Sequence, residues 1–414
     1  MLLRKGFRYR VYPTPEQAAR LDRWSDTLRF LWNLANEQRR IAYAHPRGYR
    51  RYPSAFDQAN ELTGLRAELP WLADVPRNVS TQLLVNLDAA WQRCFKRLSD
   101  TPRWKRKGRD VIGLTEPHPK GWRLDGETLH FPKIGPVRAV VHRPLVGTPK
   151  TCTIKRDGDQ WFVSIVCEVE IADPVPSVKP PIGIDRGCVN LLADSTSRIV
   201  ENPRHLRRAE RRLRRAQRTV SRRKKGSRNR TRAVARLNRI HRKVRRQRDH
   251  VLHCESKRYA NSHGTIFVER LQIGNMSAAG GAHKRGLNRS ILSAGWGRFV
   301  DFCRYKVVSL GGRLSEVPAP CTSQECSACG VIDARSRISQ SVFRCVACHH
   351  EEHADTNAAK NILQRGLTAV EPTVAACGGF AEVRHPVKQE LRVARRGTRI
   401  QGLGSSKASA FKPR

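Results

Sequence analysis

Acid is what this chain is short of. It carries 36 aspartates and glutamates against 79 lysines and arginines, a formal charge of +43 and a pI near 11.1. Such an imbalance repels itself unless a polyanion neutralises it, so nucleic acid is the expected partner. Long apolar runs are missing too. No stretch reaches the length of a membrane span, and MLLRKGFRYR at the start holds no apolar signal core, so no membrane association and no secretion are expected. Hydrophobic residues still make up 39%, enough for packed cores, and 414 residues leave room for two or three domains.

Twelve cysteines divide into two kinds. Cys94, Cys152, Cys167, Cys188, Cys254, Cys303 and Cys377 are scattered, several in apolar contexts where a thiol behaves as a small hydrophobe. Cys326-x2-Cys329, then fifteen residues, then Cys345-x2-Cys348 has the spacing of a four-cysteine zinc ribbon. Four thiolates close the coordination sphere, so this zinc is structural. Cys321, His349, His350 and His353 remain alternative ligands. A reduced, cytoplasmic setting is expected.

Along the chain, residues 1–12 alternate, with Phe7, Tyr9 and Val11 opposite Arg8 and Arg10, which predicts a strand with a basic face. Thr14-Pro15-Glu16-Gln17 reads as a capping box opening a helix, and helices continue to about residue 100. Residues 101–178 are β-rich, with a basic loop carrying Lys105 and Arg106 and a turn at Asp157-Gly158-Asp159. Prolines 174–181 mark a boundary. Residues 204–248 hold 22 lysines and arginines against one acid, Glu210. Leucines and valines at helical spacing make this a hairpin with a thin apolar seam and a cationic surface. Arg211, Arg212, Arg214, Arg215, Arg222 and Arg223 are its candidate phosphate contacts. The Gly-rich segment GNMSAAGGAHKRG reads as a loop near phosphate, and 367–414 as a disordered basic tail.

Three acids stand in distinct settings. Asp185 ends the apolar run IGID, Glu269 ends TIFVE, and Asp355 opens an Ala/Asn-rich helix. Singly, two have ordinary explanations: a strand-end Asp such as Asp185 is commonly a turn former, and Asp355 suits a helix N-cap. Glu269 is less readily dismissed, because a charge ending a buried run needs a partner or a metal. Jointly they match a ribonuclease-H-like arrangement, in which carboxylates from two strands and a helix hold two divalent cations around a scissile phosphate. Mg²⁺ suits such oxygen donors.

The stretches FRYRVYPTPEQAARL, RWKRKG, HFPKIGPVR, GIDRGCVNLL, IFVERL, TSQECSACG and ADTNAAKNIL, in this order, resemble the TnpB family of transposon-encoded RNA-guided nucleases, related to type V CRISPR effectors. The resemblance spans residues 1–366. It implies an α+β multidomain protein: a wedge β-barrel (1–12 and 101–178) with an inserted helical recognition domain (13–100), and a RuvC-like nuclease domain (179–320 and 351–366). That domain carries the helical hairpin (203–258) and a zinc-ribbon target-nucleic-acid-binding insert (321–350). It further implies a guide RNA and a double-stranded DNA target beside a short adjacent motif, with Asp185, Glu269 and Asp355 as catalytic Mg²⁺ ligands. Cys326, Cys329, Cys345 and Cys348 take the zinc roles. A monomer is expected, with any transposase a separate protein of the same element. The resemblance further implies a prokaryotic protein, nucleoid-associated when bound to DNA.

Three departures stand out: Arg270 where the family often has Asp, His349 where the last knuckle usually has Gly, and the extra thiol of Cys321. The rival readings are a silent RNA-guided repressor, a ribosome-associated RNA-binding protein, and a cut-and-paste transposase.

Overall fold

β1 (Leu2–Tyr12) buries Phe7, Tyr9 and Val11 and turns Arg8 and Arg10 to solvent, as alternation dictates. The computed structural model describes residues 2–375 apart from 46, 47, 49–51, 279 and 280. After β1 the Thr14 side chain accepts from the Gln17 N–H while Gln17 answers to the Thr14 N–H, a reciprocal cap worth about 1 kcal/mol. It opens α1 (Pro15–Ala44), whose Leu21, Trp24, Leu28 and Leu31 recur every third or fourth residue and are buried. The helices α2 (Ala55–Glu68), α3 (Pro70–Ala73) and α4 (Arg77–Phe95) follow.

Six further strands complete the first sheet: β2 (Leu114–Glu116), β3 (Arg123–Asp125), β4 (Thr128–Phe131), β5 (Gly135–Val140), β6 (Thr148–Asp157) and β7 (Gln160–Glu170). Their order is β2-β6-β7-β1-β5-β4-β3, antiparallel throughout. This corrects the expected closed barrel. Each edge strand has three residues and no register joins them, so the sheet is an open half-barrel. Tyr9, Val163 and Ile165 of the sheet share one apolar cluster with Trp24, Leu84 and Trp91 of the helices. Helices and sheet therefore bury their surfaces against each other in a single core.

The second sheet contains β8 (Ile182–Asp185), β9 (Asn190–Asp194), β10 (Ile199–Glu201), β11 (Thr265–Glu269) and β12 (Arg313–Val317), in the order β10-β9-β8-β11-β12. The first three strands are antiparallel; β8, β11 and β12 run parallel. Between β10 and β11 lie α5 (His205–Ser221) and α6 (Arg228–Ser262), the basic hairpin, its second arm running four residues beyond the expected end. The segment read as a Gly-rich loop is largely helical, α7 (Ile273–Met276) and α8 (Ala282–Ala294), because Ile291 and Ala294 are drawn into the core of this sheet. The helix α9 (Trp296–Val308) packs on the same core.

The cysteine segment forms a small hairpin, β13 (Val342–Arg344) with β14 (Glu351–His353). Since β14 pairs with β13, the ribbon extends to His353 rather than ending at 350. The last helix, α10 (Ala354–Ala375), continues past 366. The remainder of the expected tail, 376–414, lies outside the described residues.

The turn between β6 and β7 grips α6. Arg242, buried, donates to the Asp157 carbonyl at 2.5 Å and to Asp159 at 2.5 Å; Arg245 pairs with Asp157 and Arg239 with Asp159. Gly158, at φ +67°, lets this turn lie so close that a Cβ would stand 3.1 Å from Asn238. Asp157-Gly158-Asp159, read from sequence as a turn, thus also docks the hairpin on the half-barrel.

Candidate metal and nucleic-acid site

The parallel pairing of Ile184 with Val268 places the next residues, Asp185 and Glu269, side by side at the same end of adjacent strands. The third acid comes from α10, which crosses β8 at Gly183. A Cβ there would run into the Ala359 carbonyl and the Leu363 amide, so only glycine lets the helix backbone approach the strand. Asp355 lies within the first turn of α10 and is buried, its amide donating to His353 Nδ1 at 3.2 Å. It is not the helix N-cap.

The acids act on one another. Burial, then the charges of Glu269 and Asp355, push the Asp185 carboxyl up to about 7, although the Arg186 N–H donates to it at 2.8 Å. Arg186 is itself buried; its guanidinium donates to the Glu269 carbonyl and leaves Nε without a partner. Asn190 donates to Asp355 at 3.0 Å, and Arg337 of the ribbon approaches it at 3.4 Å. The Thr322 hydroxyl donates to Glu269. Arg186, Asn190, Thr322 and Arg337 escaped the sequence reading, since each joins the cluster through tertiary contacts alone. Arg186 had the one available signal, adjacency to Asp185.

Hard oxygen donors that burial, and then one another's charge, hold back from ionising are the chemistry a divalent cation satisfies, so Mg²⁺ fits this donor set. The oxygens do not form a tight cage. Among the described residues, the four cysteines are the one group whose ligand atoms lie within 4.8 Å of each other. Cys326 and Cys348 Sγ, and Cys329 and Cys345 Sγ, are 3.6 Å apart, close to the roughly 3.8 Å edge of a zinc–thiolate tetrahedron. The N–H groups of Cys348 and Ala347 point at Cys345 Sγ and hold its thiol down at about 6, favouring the thiolate a metal needs. Cys321 lies outside the cluster, His353 Nδ1 accepts from Asp355 N, and His350 Nε2 stands 3.5 Å from a Glu352 carboxylate oxygen.

The ribbon is fastened to α10 by residues one turn apart. Asn357 exchanges bonds with Ser327 N and Glu325 O, Asn361 donates to Thr322 O and Glu325 O, and Arg365 pairs with Glu325.

The candidate phosphate contacts divide. Arg211, Arg214, Arg215, Arg222 and Arg223 line one groove of about 1080 Å³, together with Arg207 and Arg218. Those last two follow the same helical stripe and were legible in the spacing. Arg212 faces a different cleft, beside Arg236 and Arg239. Lys105 is folded over the Trp32 ring at 4.6 Å, while Arg106 is exposed.

Residues 164–279 match the OrfB/IS605 family model, described as a probable transposase, and 296–362 match the Cas12f1-like TNB domain. A protein of Escherichia coli (strain K12), named "Putative RNA-guided DNA endonuclease InsQ", is 30% identical over 398 residues, 93% of this chain and 97% of its own. The chain belongs to the TnpB family. A Streptomyces pristinaespiralis member, named "Putative RNA-guided DNA endonuclease", is 32% identical over 91% of both chains. Among solved structures, a Cas12f1–sgRNA–target DNA complex contains a chain similar in fold at TM-score 0.52 and 14% identity, covering 87% of this chain and 98% of that one. Residues 1–48 match a model described as a helix-turn-helix domain. In this family member the span is instead β1 and the 30-residue α1, so the label does not describe its shape. No helix among the described residues is long and apolar enough to cross a membrane.

Proposed function

We propose that this chain is an RNA-guided, Mg²⁺-dependent DNA endonuclease that cuts DNA beside a short adjacent motif, with a RuvC-like catalytic centre. The observation that carries the reading is the convergence of Asp185, Glu269 and Asp355 from two parallel strand ends and a helix start, and the same chain carries a groove lined by seven arginines. The names of the family relatives and the sheet order β10-β9-β8-β11-β12 support it. The assigned domains are a wedge (1–12 and 101–178), a recognition layer (13–100), the nuclease unit and the zinc ribbon.

Asp185, Glu269 and Asp355 would hold two Mg²⁺ ions, which supply Lewis acidity to activate water and to neutralise the leaving oxygen. Arg186 fixes the end of β11 through the Glu269 carbonyl, and Asn190 and Thr322 orient the Asp355 and Glu269 carboxylates. Arg337 stands beside Asp355 as a cation able to meet phosphate charge. The arginine groove holds nucleic-acid backbone without reading sequence. Sequence choice is left to RNA pairing.

The test uses protein purified with its copurifying RNA and a duplex DNA matching that RNA. Mg²⁺-dependent cleavage should vanish in Asp185→Asn and Glu269→Gln while RNA binding persists. Cleavage by Asp185→Asn would overturn the site. RNA-dependent DNA binding without cleavage by the unmodified protein would favour the repressor reading, and joined strand-transfer products would favour a transposase.

A further inference from the structure

Glu210 is the single acid among the 22 cations of residues 204–248, and it does not point idly to solvent. One of its oxygens, Oε1, accepts from Arg214 at 2.8 Å and from Arg289 at 2.7 Å. Arg214 lies one turn along α5; Arg289 arrives from α8. Two guanidiniums from separate elements converging on one oxygen is the arrangement that binds an oxyanion, and carboxylate and phosphate oxygens are interchangeable partners for it.

The surroundings favour phosphate. Glu210 sits in the wall of the arginine groove, where seven of nine lining residues are arginines. It also lines an adjoining cavity of about 650 Å³ with Arg214, Arg289, Cys188 and Val189, the last two on the loop that follows Asp185. The pair is accessible: the side chains of Arg214 and Arg289 are 65% and 57% exposed, that of Glu210 32%. Exposed ion pairs of this kind contribute about 0–1 kcal/mol, so exchange of one oxyanion for another costs little.

We propose that Arg214 and Arg289 form a binding site for a backbone phosphate of the nucleic-acid strand lying along α5, and that Glu210 occupies it in the free protein as an internal stand-in. Phosphate displaces the carboxylate and takes over both guanidiniums. The strand is then tied at one point to α5 and to α8, the second helix after the Glu269 strand in the chain. Because the displaced Glu210 stays nearby as a like charge, it lowers affinity for the strand. The site rests on the reading of α5 as a nucleic-acid surface.

The experiment measures binding of the full chain to labelled single-stranded RNA, and to DNA of the same sequence, across a salt series. Glu210→Gln should bind about three- to tenfold more tightly at low salt, the loss of one unfavourable surface charge. Arg289→Gln and Arg214→Gln should each weaken binding and make the slope of log affinity against log salt shallower by roughly one. A response with RNA alone or DNA alone assigns the strand. Unchanged affinity and slope in Arg289→Gln, or weaker binding in Glu210→Gln, would overturn the site and leave Glu210 as a tie between helices. Hydrogen exchange of α8 adds a second readout: protection should rise with nucleic acid in the unmodified protein and not in Arg289→Gln. Absence of salt-dependent binding by the unmodified protein would overturn the nucleic-acid reading and this site together, whereas binding that ignores Arg289 overturns the site alone.

Discussion

The Thr322 hydroxyl donates to the Glu269 carboxylate, joining a residue just ahead of the zinc-type cysteines to the end of β11. The same segment is bolted to α10 through Asn357 and Asn361. Stripping zinc should therefore abolish cleavage, although the thiolates lie outside the carboxylate cluster. Thr322→Val separates the two roles. It should retain zinc, as measured by metal content, yet lower the cleavage rate about tenfold by freeing one Glu269 oxygen, a cost of about 1.4 kcal/mol. An unchanged rate would show that the hydroxyl does not orient Glu269.

Asp185 predicts a pH dependence whose sign is the reverse of an ordinary carboxylate. Its pKa is raised, from 3.8 to about 7, so the folded chain binds more protons than the unfolded chain between those values. In magnesium-free buffer with zinc retained, this group's stabilising contribution is present below pH 4 and is lost as pH rises to about 7. The Tm difference between Asp185→Asn and the unmodified protein should widen in favour of the variant over that window. Added Mg²⁺ should narrow it. A constant difference across the window would contradict the burial, and after it the acid neighbours, that raise this group.

Gly183→Ala should separate β8 from α10. The new methyl meets backbone atoms of Ala359 and Leu363, which cannot swing aside as a side chain would. A loss of about 2–3 kcal/mol is expected by urea unfolding. Activity should fall further than stability explains, because Asp355 rides on the displaced helix. Full activity in a folded Gly183→Ala variant would refute this close approach.

The two zinc knuckles repeat one backbone geometry. Gly330 N donates to Cys326 O at 2.9 Å with φ +76°, and His349 N donates to Cys345 O at 3.1 Å with φ +58°. His349 pays for a left-handed conformation that glycine adopts freely. His349→Gly should stabilise the ribbon by about 0.5–1 kcal/mol, read as slower zinc loss to a chelator. Faster loss would indicate that the imidazole supports the knuckle.

Sequence by itself determined whatever depends on local pattern. Alternation set the faces of β1, residues 14–17 set the start of α1, the cysteine spacing set the thiol cluster, and charge counting set the cationic hairpin. Apolar runs ending in acid located the strand tips at Asp185 and Glu269. Tertiary structure alone decided what depends on contact between distant residues. The half-barrel stays open because its edge strands are short, and helix α8 forms because Ile291 and Ala294 find a core to enter. Arg186, Asn190, Thr322 and Arg337 reach the acids from positions that no periodicity marks. Arg212 leaves the groove its neighbours share, since a helix separates residues by 100° per step and only packing says which side is open. Local propensity is written residue by residue, but a site held by charge and backbone approach exists only once the chain has closed around it.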